Sequence, residues 1–245
     1  MMNTSGFSSF AFKMGKTFVG CDIESLSYHV CELSFLIDTN IKLASQREAG
    51  KAMCDGVALF EQRVTESINV KQFMLSDESI ARQVVKLADE CATALKSGGK
   101  IIFAGNGGSF GDAQHISAEF TSKLMRDRGP LASIALGTNS SSMSAIANDY
   151  GYEHVFSREL KAILQPVDVL ILISTSGNSN NILNAAYTAK LADVTVIGLT
   201  GSDGGDLSRQ CACIKVPSSD TARVQECHIL IGHVLVELTE QHCFA

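Results

Sequence analysis

The sequence predicts an α/β protein: a doubly wound, five-stranded parallel sheet flanked by helices. Two observations carry this. The apolar runs KIIFA at Lys100–Ala104 and DVLILIS at Asp168–Ser174 are continuous rather than alternating, as strands covered on both faces must be. Between such runs lie segments whose apolar residues recur at helical spacing, and alternating strands and helices build parallel sheets. The 245 residues suit one large domain or a domain with an extension.

The elements follow in order. Val57, Phe60, Val64, Ile68 and Phe73 recur at roughly helical spacing. Ser76 is placed to cap a second helix with the stripe Ile80, Val84, Leu87, Cys91 and Leu95. Ser97-Gly98-Gly99 ends it. The first strand, Lys100–Ala104, runs into a Gly-rich turn and a helix from about Asp112 to Met125. Ser133–Leu136 is the second strand, followed by helices at Ser140–Ala147 and Val155–Leu164. Asp168–Ser174 is the third strand, with a helix from about Asn180 through Lys190. Thr195–Leu199 and Cys213–Val216 are the fourth and fifth, and a long helix from Thr221 to His242 closes the chain.

Composition narrows the function. Hydrophobic residues make up 45% and charged residues 19% of the chain, so a disordered chain is excluded. Runs such as Val169–Ile173 are far too short to cross a bilayer. The net charge is −6 and no Lys/Arg cluster occurs, which argues against nucleic acid or a membrane surface as partner. Eight cysteines at irregular spacing, without a CxxC, predict free buried thiols in a reducing cytoplasm. Residues 1–54 stand apart, with balanced charge and weak periodicity. They are read as an extension of unknown role, disordered or not translated, because Met53 offers an internal start.

Ligands of doubly wound sheets bind beyond the carboxyl ends of the strands, so the loops there matter most. Gly105-Asn106-Gly107-Gly108-Ser109 follows a strand and opens a helix. Its amides can approach an anion, although a tight turn would use the same glycines. Ser174-Thr175-Ser176-Gly177-Asn178-Ser179 brings four hydroxyls and a helix start, but no Lys or Arg. That is a phosphate nest better suited to a sugar phosphate than to a polyphosphate.

His115 and Glu119 lie four apart and share a helix face. Gln225 and His233, on the last helix, lie about 80° apart around its axis. The set could ligate zinc, act as general acid and base, or include nothing more than a surface His–Glu pair.

These segments resemble the sugar isomerase (SIS) family and, more narrowly, its phosphoheptose isomerases. The matching pieces are AGNGGS at 104–109, DAQHISAE at 112–119, ANDYGYEHVFSRE at 147–159, ISTSGNS at 173–179, LTGSDGG at 199–205 and ARVQECHI with the following His at 222–233. They occur in one order over about three quarters of the chain. The resemblance implies that residues 55–245 form a sugar-phosphate isomerase domain of SIS fold. It implies a cytoplasmic homotetramer with active sites near subunit interfaces. The implied reaction interconverts sedoheptulose 7-phosphate and D-glycero-D-manno-heptose 7-phosphate through an enediol, the first step toward the heptoses of bacterial surface polysaccharides such as lipopolysaccharide. Glu119 and His233 would be the acid–base pair. His115, Glu119, Gln225 and His233 would hold one Zn²⁺ per subunit. Asn106, Gly107, Gly108, Glu119, Asn148, Asp149, Ser174, Thr175, Ser176, Ser179 and Gln225 would contact substrate. Where some relatives carry Asp three residues before the Gln, this chain has Ala222, leaving Thr221 or Arg223 to fill that role. The alternative is a non-catalytic tetrameric scaffold of the same fold that binds a replication initiator. Such relatives lack the Glu and His, whereas this chain keeps Glu119 and His233. A sugar-phosphate-sensing transcription regulator would need a DNA-binding segment, and the neutral N-terminal stretch does not suit one.

Overall fold

The computed structural model describes residues 53–244, and the chain divides after Glu61. Residues 53–61 are helical and exposed. The expectations for residues 1–52 lie outside the described residues.

In the second unit, residues 62–76 are helical (α1). There follow α2 (Glu78–Lys96), β1 (Ile101–Gly105), α3 (Gly108–Thr121), β2 (Ser133–Ala135), α4 (Ser140–Tyr150), α5 (Val155–Ile163), β3 (Val169–Ile173), α6 (Asn180–Leu191), β4 (Thr195–Thr200), β5 (Ala212–Lys215) and α7 (Thr221–Phe244). The five strands form one parallel sheet in the order β2-β1-β3-β4-β5. β1 and β3 are buried along their whole lengths, as their continuous apolar runs require.

The sheet separates two apolar layers. On one face Phe103, Ile171 and Ile173 pack with Leu87 and Cys91 of α2, Ile116 and Phe120 of α3, and Ile231 and Leu235 of α7. On the other, Ile102, Leu170 and Leu172 pack with Phe156 and Leu160 of α5 and Ile182 and Ala186 of α6. Each large side chain buried in this way contributes about 1.5–3 kcal/mol.

Two element boundaries differ from expectation for local physical reasons. Asp77, not Ser76, caps α2: its carboxylate accepts from the Ser79 N–H at 2.9 Å. The Ser76 hydroxyl instead donates back to the Phe73 carbonyl at 2.8 Å, closing α1. α3 begins at Gly108 rather than Asp112, because the Gly-rich turn itself enters the helix. It stops at Thr121 rather than Met125, where Arg128 takes over its last carbonyls. The guanidinium donates to Glu119 O at 3.0 Å and Phe120 O at 2.9 Å.

That arginine is anchored in turn. Arg128 and Glu240 form a buried ion pair at 2.7 Å, with side chains 2% and 1% exposed. Glu240 also accepts from the N–H groups of Leu124 at 3.1 Å and Met125 at 3.4 Å. Burial alone would raise its pKa, but the backbone donors and Arg128 hold it below the ordinary carboxylate range. The pair fastens the end of α3 to α7. Removing one member strands a buried charge, which costs about 3–5 kcal/mol. Glu240→Gln should therefore lose about that much in urea unfolding, while Arg128→Met combined with Glu240→Leu should lose clearly less. Equal losses from the single and double changes would mean that the pair is not the fastening.

Candidate active site

The strand order reverses between β1 and β3. α3 leaves β1 toward one face of the sheet and α6 leaves β3 toward the other. A crevice must open between their starting points, beyond the carboxyl ends of the strands. Both helices begin there without a side-chain cap: Gly107 precedes α3 and Ser179 precedes α6. Uncapped helix starts present free N–H groups and a positive dipole end, both suited to an anion.

The loop at 174–179 is held from behind by the loop after β4. Gly201 N–H donates to Thr175 O at 2.9 Å and Leu207 N–H to Gly177 O at 2.9 Å. Asp206 N–H donates to Asn178 Oδ1 at 2.9 Å. Gly177 has φ +67° and packs so closely on Gly204 that a Cβ would lie 2.1 Å from the Gly204 carbonyl oxygen. Only glycine fits there. Ser174 is buried, and its hydroxyl accepts from Gly177 N–H at 3.2 Å. Ser176 is exposed and its hydroxyl accepts from Asn178 N–H at 3.2 Å. Thr175 and Ser179 make no side-chain hydrogen bond among the described residues and are half-buried. Ser174 therefore shapes the loop from within, while Thr175, Ser176 and Ser179 are the accessible hydroxyls of the turn.

α3 and α7 bring the titratable groups together. His115 Nε2 lies 2.9 Å from His233 Nε2, with the rings edge to face at 82°. Glu119 Oε1 is 3.4 Å from His115 Nε2. One donor atom from each of the three lies within 4.8 Å of the others, a spacing that fits a single divalent ion bound through two imidazoles and a carboxylate. Two glycines permit this approach. A Cβ on Gly232 would lie 2.2 Å from Ile116 Cδ1, and one on Gly108 would lie 2.4 Å from Gln225 Nε2. The Gln225 carboxamide thus lies over the first turn of α3.

Some residues stand elsewhere. Asn148 and Asp149 are exposed on α4 and bond to each other at 2.8 Å. They line an open depression of about 590 Å³ with Ser140, Ser141 and Ser144, and among the described residues no hydrogen bond joins them to the histidine–glutamate cluster. Arg223 is committed to Glu226 and Glu66, which leaves it outside the crevice. His228, adjacent in sequence to the ligand candidates, bonds the Thr200 carbonyl at 3.2 Å instead of orienting a ligand.

Four contributors were not legible as site residues. Asp112, one turn before His115, has its pKa raised by burial despite the two nearby imidazoles, and its Oδ2 is buried without a partner. Arg128 fixes the carbonyl end of the turn that bears Glu119. Asn181 and Tyr152 hold Asn106 through hydrogen bonds. Only Asp112 carried a signal, its helical spacing from His115.

Two uncapped helix starts at a topological switch, with a cluster of two histidines and a glutamate built in part on the helix that one of them opens, define an α/β protein with an anion-suited, acid–base site. Residues 68–201 match the SIS domain family, and the chain belongs to it. The chain is 48% identical over 185 residues to the phosphoheptose isomerase of Aneurinibacillus thermoaerophilus, covering 75% of this chain and 93% of that one. It is 48% identical to phosphoheptose isomerase 2 of Campylobacter jejuni over 73% of this chain and 90% of that one. The phosphoheptose isomerase structure from Neisseria gonorrhoeae superposes with a TM-score of 0.66 at 41% identity, covering 73% and 95% of the two chains. That from Francisella tularensis gives 0.71 at 32%, covering 76% and 98%. Within its family the chain groups with the phosphoheptose isomerases, and none of these similarities supports the scaffold reading.

The buried His228 yields a pH prediction. Burial pushes its pKa down from 6.5 to about 4, with the Thr200 carbonyl opposing. Between these values the unfolded chain holds more protons, so stability rises with pH through the window. It is complete above 6.5 and is lost as pH falls toward 4. The wild type should lose about 3 kcal/mol more than His228→Gln across that range in urea titrations. Parallel curves for the two proteins would show that His228 does not titrate with folding.

Proposed function

We propose that this protein is an aldose–ketose isomerase that converts sedoheptulose 7-phosphate to D-glycero-D-manno-heptose 7-phosphate. The observation that carries the reading is the convergence of His115 and Glu119 of α3, the helix that begins at the crevice, with His233 of α7. The similarity to phosphoheptose isomerases supports the same substrate.

Isomerisation moves a proton between adjacent carbons through an enediol, so one group must take it from carbon and another must serve the oxygens. Glu119 takes the C1 proton of the ketose and returns it at C2. His233 moves the oxygen-bound protons, protonating O2 as O1 is deprotonated; an imidazole suits this because it both gives and accepts near neutral pH. Thr175, Ser176 and Ser179, with the α6 amides, hold the phosphate and fix the register of the carbon chain. Asn148 and Asp149, which stand apart from the cluster within one subunit, would contact the sugar hydroxyls where subunits meet. His115, Glu119 and His233, with Gln225 as fourth donor, would hold Zn²⁺. When bound, such an ion polarises the carbonyl oxygen and stabilises negative charge on it.

The assembly belongs to the same proposal. Val64, Ile68 and Leu75 share one side of α1 and are 41–87% exposed, an apolar row of the kind that subunits cover. It supports a homotetramer, with active sites near subunit interfaces. Free thiols at the described cysteines accord with a cytoplasmic enzyme, and its heptose product would enter lipopolysaccharide and related surface polysaccharides.

Turnover of sedoheptulose 7-phosphate, followed by NMR with zinc or a chelator present, tests the reaction. Glu119→Gln should lower kcat by about 10³-fold or more with the assembly intact; unchanged turnover removes its role as base. Ser176→Ala should raise KM about ten-fold with little change in kcat, and a normal KM would refute the phosphate loop.

A further inference from the structure

The side chain of Asn106 is committed within the protein itself. Its Nδ2 donates to Asn181 Oδ1 at 2.9 Å, and its Oδ1 accepts from Asn181 Nδ2 at 2.8 Å. The Tyr152 hydroxyl donates to the same Oδ1 at 3.2 Å. An asparagine carboxamide has two donor hydrogens and two acceptor lone pairs, so three of its four positions are used. Asn181 is equally fixed: it is 3% exposed, and its Oδ1 also accepts from the Ile182 N–H at 3.0 Å. By contrast, the N–H groups of Gly107 and Gly108 donate to nothing among the described residues, as expected for a helix start.

We propose that the Asn106 carboxamide is a latch rather than a substrate contact. Asn181 and Tyr152 are the positioning residues that close it, and the first loop meets the ligand through the main-chain N–H groups of Gly107 and Gly108. The latch has a second effect. Asn181 lies in the first turn of α6, directly after the phosphate loop, so the reciprocal amide pair sets the distance between the two helix starts across the switch. A loop that moved by an ångström would present its amides to the wrong part of the ligand. The proposal rests on the isomerase reading for its substrate but not for its geometry.

A double-mutant cycle tests it, using wild type, Asn106→Ala, Asn181→Ala and the combined variant. KM and kcat for sedoheptulose 7-phosphate are measured together with the Kd of inorganic phosphate by calorimetry. Each single change should raise KM about ten-fold with kcat within about three-fold, and the double variant should be no worse than the weaker single. If Asn106→Ala raises KM while Asn181→Ala leaves it within about two-fold, or if the two penalties multiply, Asn106 touches substrate and the latch is refuted. Wild-type protein that turns over no sedoheptulose 7-phosphate would overturn the isomerase reading instead. The phosphate Kd cycle would then judge the latch alone, by the same criterion. Should Asn181→Ala fail to fold, Tyr152→Phe replaces it, because Tyr152 is 50% exposed. It should raise KM about two- to three-fold in wild type and not at all in Asn106→Ala. The same rise in both backgrounds overturns the proposal.

Discussion

The site depends on a constraint of chain winding. A right-handed crossover from β1 and another from β3 carry their helices to opposite faces of the sheet. The two helix starts therefore diverge from adjacent strands. Both starts lack caps, leaving their dipole ends facing one space. Everything else in the site serves to keep that space at a fixed width. The loop after β4 supports the turn at 174–179, and the paired asparagines hold the first loop against α6.

α3 links binding to chemistry because it is held at three heights. At its start, Gly108 lets Gln225 lie against the backbone. In the middle, Gly232 lets Ile116 approach α7, so that His115 and His233 meet. At its end, Arg128 takes the Glu119 and Phe120 carbonyls and is held by Glu240. Two close glycine contacts and one buried ion pair thus fix the geometry between two helices. Bringing two imidazoles and a carboxylate so close together, with the buried Asp112 oxygen beside them, makes a cluster that favours bound positive charge.

The fold was largely legible because its strands are unambiguous. VLILI at 169–173 and IIFAG at 101–105 have no helical periodicity and are too short to be anything but buried strands. The site was legible in its clustered motifs, and His115, Glu119 and His233 do converge. What escaped depends on pairing across the fold. Asn181 lies 75 residues from Asn106 and Glu240 lies 112 from Arg128; each alone looks like an ordinary polar residue. The cap at Asp77 was misread as Ser76 because both residue types cap helices, and only the direction of the Ser76 hydroxyl decides between them. The motif around Asn106 marks the loop, but only the fold shows that its carboxamide bonds Asn181 and Tyr152.

The absence of Lys and Arg from the two loops has a kinetic meaning. Lys215, packed beside Gly204 behind the second loop, is engaged with the Asp203 carbonyl at 3.1 Å. Hydroxyl and amide donors act only at contact, whereas a fixed charge would draw an anion from about a Debye length away. With a net charge of −6, the protein repels rather than draws in a dianion such as the proposed sugar phosphate at long range. Capture rests on diffusion against that weak repulsion followed by short-range recognition, so the encounter rate should rise modestly, not fall, as ionic strength screens the charge. Discrimination is left to the shape of the crevice.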